Sequence, residues 1–134
     1  MNYLPILVAS LVAFAVSSLW YSPILFGKEW LALRKISDSD LEVIKEKGVW
    51  TSYLTQFIMS IVTFAVLAFI VSMAGAMSIT DGAFLGFLAW LGFFLPSSLS
   101  GLLWKKESFT LALIDSVNNL IVLTIGGAII GAWR

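Results

Sequence analysis

The chain contains neither cysteine nor histidine. The first absence removes disulfides, thiolate nucleophiles and zinc–thiolate sites. The second removes the commonest general base and metal ligand. Charge is scarce as well: 12% of residues are charged, against about 25% in an ordinary soluble domain. Eight Lys and Arg balance eight Asp and Glu, so no basic excess points to nucleic acid. No cofactor is expected and no catalytic motif is present, so the chain reads as a non-enzyme. A lipid-acting enzyme would have to rely on Asp115 together with Tyr21 or a serine.

What the chain has in abundance is apolar surface, at 60% of its 134 residues. One domain covering residues 1–134 is the natural expectation at this length. Four apolar stretches stand out, at about 4–26, 51–73, 81–103 and 109–133. Each is near or above the ~20 residues that a helix needs to cross a ~30 Å hydrocarbon layer. The expected fold is therefore all-α, an integral membrane four-helix bundle with the lipid bilayer as its first partner. The first stretch has no Lys or Arg before it and ends in the bulky Trp20, Tyr21 and Pro23. It is expected to stay as a helix rather than act as a cleaved signal.

Cationic residues set the expected orientation. Lys28, Arg34, Lys35, Lys45 and Lys47 lie between the first and second stretches, Lys105 and Lys106 between the third and fourth, and only Arg134 on the other side. Those two loops are expected in the cytoplasm and both termini outside, in a cell's inner (plasma) membrane. Within the loop 27–50, Ser39-Asp40-Leu41-Glu42 reads as a capping box and Gly48 as the glycine that stops a short helix. Leu41 and Ile44 share a face of that helix. The piece before it carries Trp30, Leu31, Leu33 and Ile36 among charges and suits a linker lying on lipid headgroups. A docking site for a cytoplasmic partner is the alternative for this loop.

Small residues mark expected packing faces, because close backbone approach supplies the contact where lipid removes the hydrophobic drive. The third stretch carries Gly82, Gly86, Ala89 and Gly92, and the fourth Gly127 and Gly131. The polar residues are distributed unevenly. Asp115 is the one ionisable side chain well inside a span, about six residues in and hence roughly 9 Å deep. Asn118 and Asn119 share its face. At matching depth lie Ser17 and Tyr21 on the first stretch, Ser52, Gln56 and Ser60 on the second, and Ser97, Ser98 and Ser100 beyond Pro96 on the third. The cytoplasmic half is polar and the outer half is not. Pro96 is expected to kink its helix.

An intramembrane acid is a functional-site hypothesis by default. The candidate site comprises Asp115, Asn118, Asn119, Gln56, Tyr21, Trp20, Ser97 and Ser98. Asp115 has no intramembrane cation to pair with, and Lys105 and Lys106 would have to snorkel towards it. It is expected to be unpaired, with hydrogen bonds from Asn119, Gln56, Tyr21 or Ser97. One reading is the binding or translocation of a proton, a cation or a small polar ligand, with a homo-oligomer needed for transport. The other is a structural or accessory protein whose polar groups only hold the helices together.

The runs Trp20-Tyr21-Ser22-Pro23-Ile24-Leu25-Phe26-Gly27-Lys28-Glu29-Trp30 and Gly82-Ala83-Phe84-Leu85-Gly86-Phe87-Leu88-Ala89-Trp90-Leu91-Gly92-Phe93 are distinctive. They make the chain resemble, over nearly its whole length, the bacterial membrane family known as domain of unknown function 1761. The resemblance implies no activity. It does imply that the first run is a family hallmark, in which Pro23 would end or bend the first helix and Gly27 would cap it.

Overall fold

A computed structural model describes residues 3–46 and 48–133. Lys47 and Arg134, counted in the charge bias, and the Ile44 side chain lie outside the described residues. The order is α1 (Leu4–Trp20), α2 (Gly27–Leu33), α3 (Asp38–Glu46), α4 (Val49–Met73), α5 (Ile79–Ala89), a π-helical turn (Trp90–Phe94), α6 (Leu95–Trp104) and α7 (Phe109–Ala132). No strand occurs among the described residues.

Three helices are long and apolar enough to cross a membrane: Trp50–Met73, Ile79–Trp104 and Phe109–Ala132, with mean hydropathies of 2.3, 1.6 and 1.7. The first stretch departs from expectation. Its helix stops at Trp20 after 17 residues, which is about 26 Å, so three full-length spans and one shorter apolar helix replace four equal ones. The reason is local. Pro23 cannot continue the helix, and the chain turns back with the Phe26 N–H on the Trp20 carbonyl and the Gly27 N–H on the Ser22 carbonyl. Gly27 does not cap α1; it opens α2. A Cβ there would overlap the backbone of Tyr21 and Ser22, so the reversal requires glycine.

The other boundaries follow from capping. Ser78 and Ser108 accept the Asp81 and Leu111 N–H groups at 3.1 and 3.0 Å, opening α5 and α7. At the end of α4, Gly75 takes φ 71°. The Ala76 N–H returns to the Val71 carbonyl and the Gly75 N–H to the Ser72 carbonyl, satisfying two of the helix's last acceptors. The capping box of α3 lies two residues earlier than expected. Asp40 N–H donates to Ser37 Oγ at 3.2 Å and Ser37 N–H to Asp40 Oδ2 at 3.0 Å. That backbone bond from Ser37, followed by its side chain, holds the Asp40 carboxyl below its usual range.

The centre of the bundle is α7. Gly82 and Gly86 of α5 lie against Gly127 and Leu123 of α7 so closely that a Cβ on either would overlap a carbonyl oxygen opposite, and Gly131 approaches Ser78 in the same way. Ala89 is half-buried. Gly92 is not part of this face: it falls in the π turn with open space where a Cβ would be. Pro96, expected to kink its helix, stands in the first turn of α6 directly after this π turn, in which Leu95 N–H bonds the Trp90 carbonyl. The wider turn inserts one residue and rotates everything after it by about 100°. On the remaining side, Phe64, Leu67, Ala68 and Val71 of α4 pack into the core with Ile6, Ala9 and Ala13 of α1. The outer surface is apolar, with Val62, Val66, Phe69, Phe84, Phe93 and Leu103 exposed.

Candidate functional site

Helix α4 packs tightly only in its C-terminal half. Phe64 is 1% exposed, and its ring occupies the space beside Gly126 where a side chain would otherwise project. From Phe64 towards its N-terminus α4 becomes exposed, at Ser52, Tyr53, Gln56 and Met59. This divergence opens a cleft of about 750 Å³ between α1, α4, α7 and the π turn. Its lining includes Ser17, Tyr21, Trp30, Arg34, Ser52, Gln56, Ser60, Asp115, Asn118 and Asn119, with Ala13, Met59, Phe64, Phe94, Val122 and Leu123 as the apolar part.

Asp115 sits at the edge of this space and is not unpaired. Its Oδ1 accepts the Tyr21 hydroxyl at 2.6 Å and the Trp30 indole N–H at 3.2 Å. Its Oδ2 accepts Arg34 Nη2 at 3.3 Å, an ion pair. Arg34 also lies 3.8 Å from Glu107 and stacks over the Trp30 ring at 5.6 Å. The cation therefore comes from the loop 27–50 rather than from Lys105 or Lys106. That loop is not merely a linker on headgroups, because α2 folds back and places Trp30 and Arg34, four residues apart on one face, against α7. Two non-glycine turns make this possible. Lys35 and Lys106 adopt φ 58° and 53°, the left-handed region that costs an L-residue about 1–2 kcal/mol. They end α2 beside Arg34 and turn Glu107 back over Gly101.

Three of the six tryptophans converge on consecutive residues of α7. Trp20 donates to the Ile114 carbonyl at 3.1 Å, Trp30 to the Asp115 carboxylate, and Trp90 to the Ser116 carbonyl at 2.8 Å. Trp20 therefore ties α1 to α7. Asn118, 6% exposed, exchanges hydrogen bonds with Ser17, its amide donating at 3.2 Å. Asn119 and Gln56 line the cleft, and neither bonds to Asp115 or to another residue among the described ones. Ser97 and Ser98 do not line it. The register shift of the π turn carries α6 round, leaving Ser97 exposed.

Comparison with known families places the chain. The model of the family described as "Protein of unknown function (DUF1761)" matches residues 4–131. The chain belongs to that family. No curated protein and no solved structure matches it. Within this family member, Trp20, Tyr21, Gly27 and Trp30 all come from one eleven-residue run, and all serve to close the α1–α2 reversal or to reach residues 114 and 115. Trp30 and Arg34 are the site residues that sequence reasoning missed. The signal available was their i, i+4 spacing on a short helix directly after a tight glycine turn. Among the described residues, no group of His, Cys, Asp and Glu could hold a metal ion.

Proposed function

We propose that this protein is a multi-pass membrane protein of a bacterial inner membrane whose inner-half cleft takes up a small amphiphilic molecule from the cytoplasmic leaflet. The observation that carries this reading is the cleft itself. Its volume, about 750 Å³, falls within the ~300–1,000 Å³ range of small-molecule sites. It joins polar groups, among them the paired Arg34 and Asp115, to apolar side chains. The cleft is blind, since Phe64 closes it against Gly126. One chain thus suits binding rather than passage, and translocation would call for a homo-oligomer. Proton or cation binding at Asp115 would first require Arg34 to leave. The structural reading keeps a share of the polar groups: Ser17–Asn118, Trp20–Ile114 and Trp90–Ser116 hold helices together, whereas Gln56 and Asn119 hold nothing. Neither reading involves catalysis or a cofactor.

A tail-tagged diazirine probe tests uptake. Dodecyl chains carrying a glycerol, phosphate or ammonium head are added to the protein in lipid nanodiscs, irradiated, and mapped by peptide mass spectrometry. At least one is expected to label residues 52–63 and 118–123 saturably. Ser60→Trp should abolish that labelling, whereas Ile58→Trp, on an exposed part of α4 outside the cleft, should leave it intact. Labelling that is non-saturable for all three heads would remove the reading.

The orientation belongs to the same proposal: loop 27–50 in the cytoplasm, where it is also free to meet a soluble partner, and both termini outside. The native chain has no cysteine, so single probes report without background. Ala76 is buried, so the outer probe belongs at the exposed Met77. Met77→Cys should react with an impermeant thiol reagent in intact cells, and Ser39→Cys should be shielded until the cells are opened. The reverse pattern would overturn the orientation.

A further inference from the structure

The charges bordering the cleft are in contact with one another. Arg34 sits 3.3 Å from the Asp115 carboxylate and 3.8 Å from that of Glu107. A phosphate or carboxylate head entering the cleft would meet one cation flanked by two anions, a local excess of negative charge that repels it. A cationic head fares no better at Asp115, because one oxygen already accepts Tyr21 and Trp30 and the other accepts Arg34. The lining groups without a hydrogen-bond partner among the described residues are uncharged: Ser52, Tyr53, Gln56 and Ser60 on α4 and Asn119 on α7. Amide and hydroxyl groups both donate and accept, which suits a head bearing hydroxyls or an amide. The rest of the lining is apolar, including Phe64, Phe94, Val122 and Leu123, which suits a hydrocarbon tail.

We infer that the ligand is a neutral amphiphile with a hydroxyl- or amide-bearing head, in the manner of an acylglycerol. This rests on the reading of the cleft as a binding site and specifies its selectivity. Arg34 is the selectivity element. By occupying Asp115 it turns an acidic edge into one without an open charge, and it discriminates against cationic amphiphiles by taking their place.

Competition tests it. In phosphatidylcholine nanodiscs, diazirine-tagged dodecanoyl glycerol labels the cleft, and untagged dodecanoyl glycerol, dodecyl phosphate and dodecylammonium compete at matched mole fractions. The neutral competitor should act at a mole fraction about tenfold below either charged one, since a charge brought into the cleft loses hydration without gaining an open partner. Asn119→Leu and Gln56→Leu should each weaken it roughly three- to tenfold, the worth of one hydrogen bond. Arg34→Gln should move the preference towards dodecylammonium, and Arg34→Lys should leave the order unchanged. If a charged head matches or outcompetes the neutral one while labelling stays saturable and confined to the cleft, the neutral assignment is overturned and the binding cleft stands. If no saturable labelling is found with any head, the cleft reading falls and this inference with it.

Discussion

Gly127→Leu is expected to destabilise the protein by at least about 3 kcal/mol, or to prevent its folding. A Cβ at Gly127 would overlap the Gly82 carbonyl oxygen and press on the Gly82 carbonyl carbon and the Gly86 nitrogen. All three are backbone atoms, so no rotamer change relieves the overlap. Overpacking a core ordinarily costs ~1–3 kcal/mol, and a contact between two rigid helix backbones belongs at the upper end or beyond. The loss would also spread, because α7 supplies both the α5 interface and the wall that carries Asp115. Gly92→Leu is the matched control. Gly92 has open space around it, so the same substitution there should stay within about 0.5 kcal/mol. Thermal unfolding in detergent reads both. Equal behaviour of the two variants would mean that α5 and α7 do not meet through their glycines.

Asp115→Leu should cost about 3 kcal/mol, the second largest effect. The carboxylate accepts three donors, from Tyr21, Trp30 and Arg34. Removing it strands a phenol and an indole N–H that are partly shielded from water, at ~1–3 kcal/mol for each group left without a partner. Arg34 adds little to the loss. Its side chain is 41% exposed, and it has Glu107 to turn to, so the ion pair behaves as a surface pair worth ~0–1 kcal/mol. Asp115→Asn should therefore be much milder than Asp115→Leu, since its amide oxygen still accepts Tyr21 or Trp30.

Much of the frame is legible before any coordinates. Apolar length locates α4, the α5–α6 segment and α7 to within about two residues, because a buried or lipid-facing helix must remain apolar for its whole length. The small-residue face of Gly82, Gly86, Gly127 and Gly131 is also readable, since close approach leaves only glycine as a solution. Matching depth makes Tyr21 one of four candidate partners of Asp115, with Asn119, Gln56 and Ser97, and the structure forms the bond to Tyr21 alone of these. What escapes is whatever depends on a change of direction. The end of α1 at Trp20 and the fold-back of α2 are set by a turn in which Pro23 and Gly27 act together, and depth counted along a straight helix runs past it. Arg34 was consequently placed with the headgroups instead of on Asp115. Ser97 and Ser98 escape for a related reason. A π turn advances the register by one residue, so the face projected through Trp90–Phe94 is no longer the face that α6 presents. Gly92 is misread for the same cause, a glycine counted into a helical ridge that the π turn has left.

The central claim is that the turn after α1 grips Asp115 through Tyr21, and a double-mutant cycle tests it most directly. Tyr21→Phe and Asp115→Leu are measured singly and together for unfolding free energy in one detergent. With the 2.6 Å bond in place, the double variant should cost scarcely more than Asp115→Leu alone. The coupling expected is about 1.5–3 kcal/mol, the range for a hydrogen bond to a charged group. Effects that add to within about 0.5 kcal/mol, as those of independent sites do, would contradict the account.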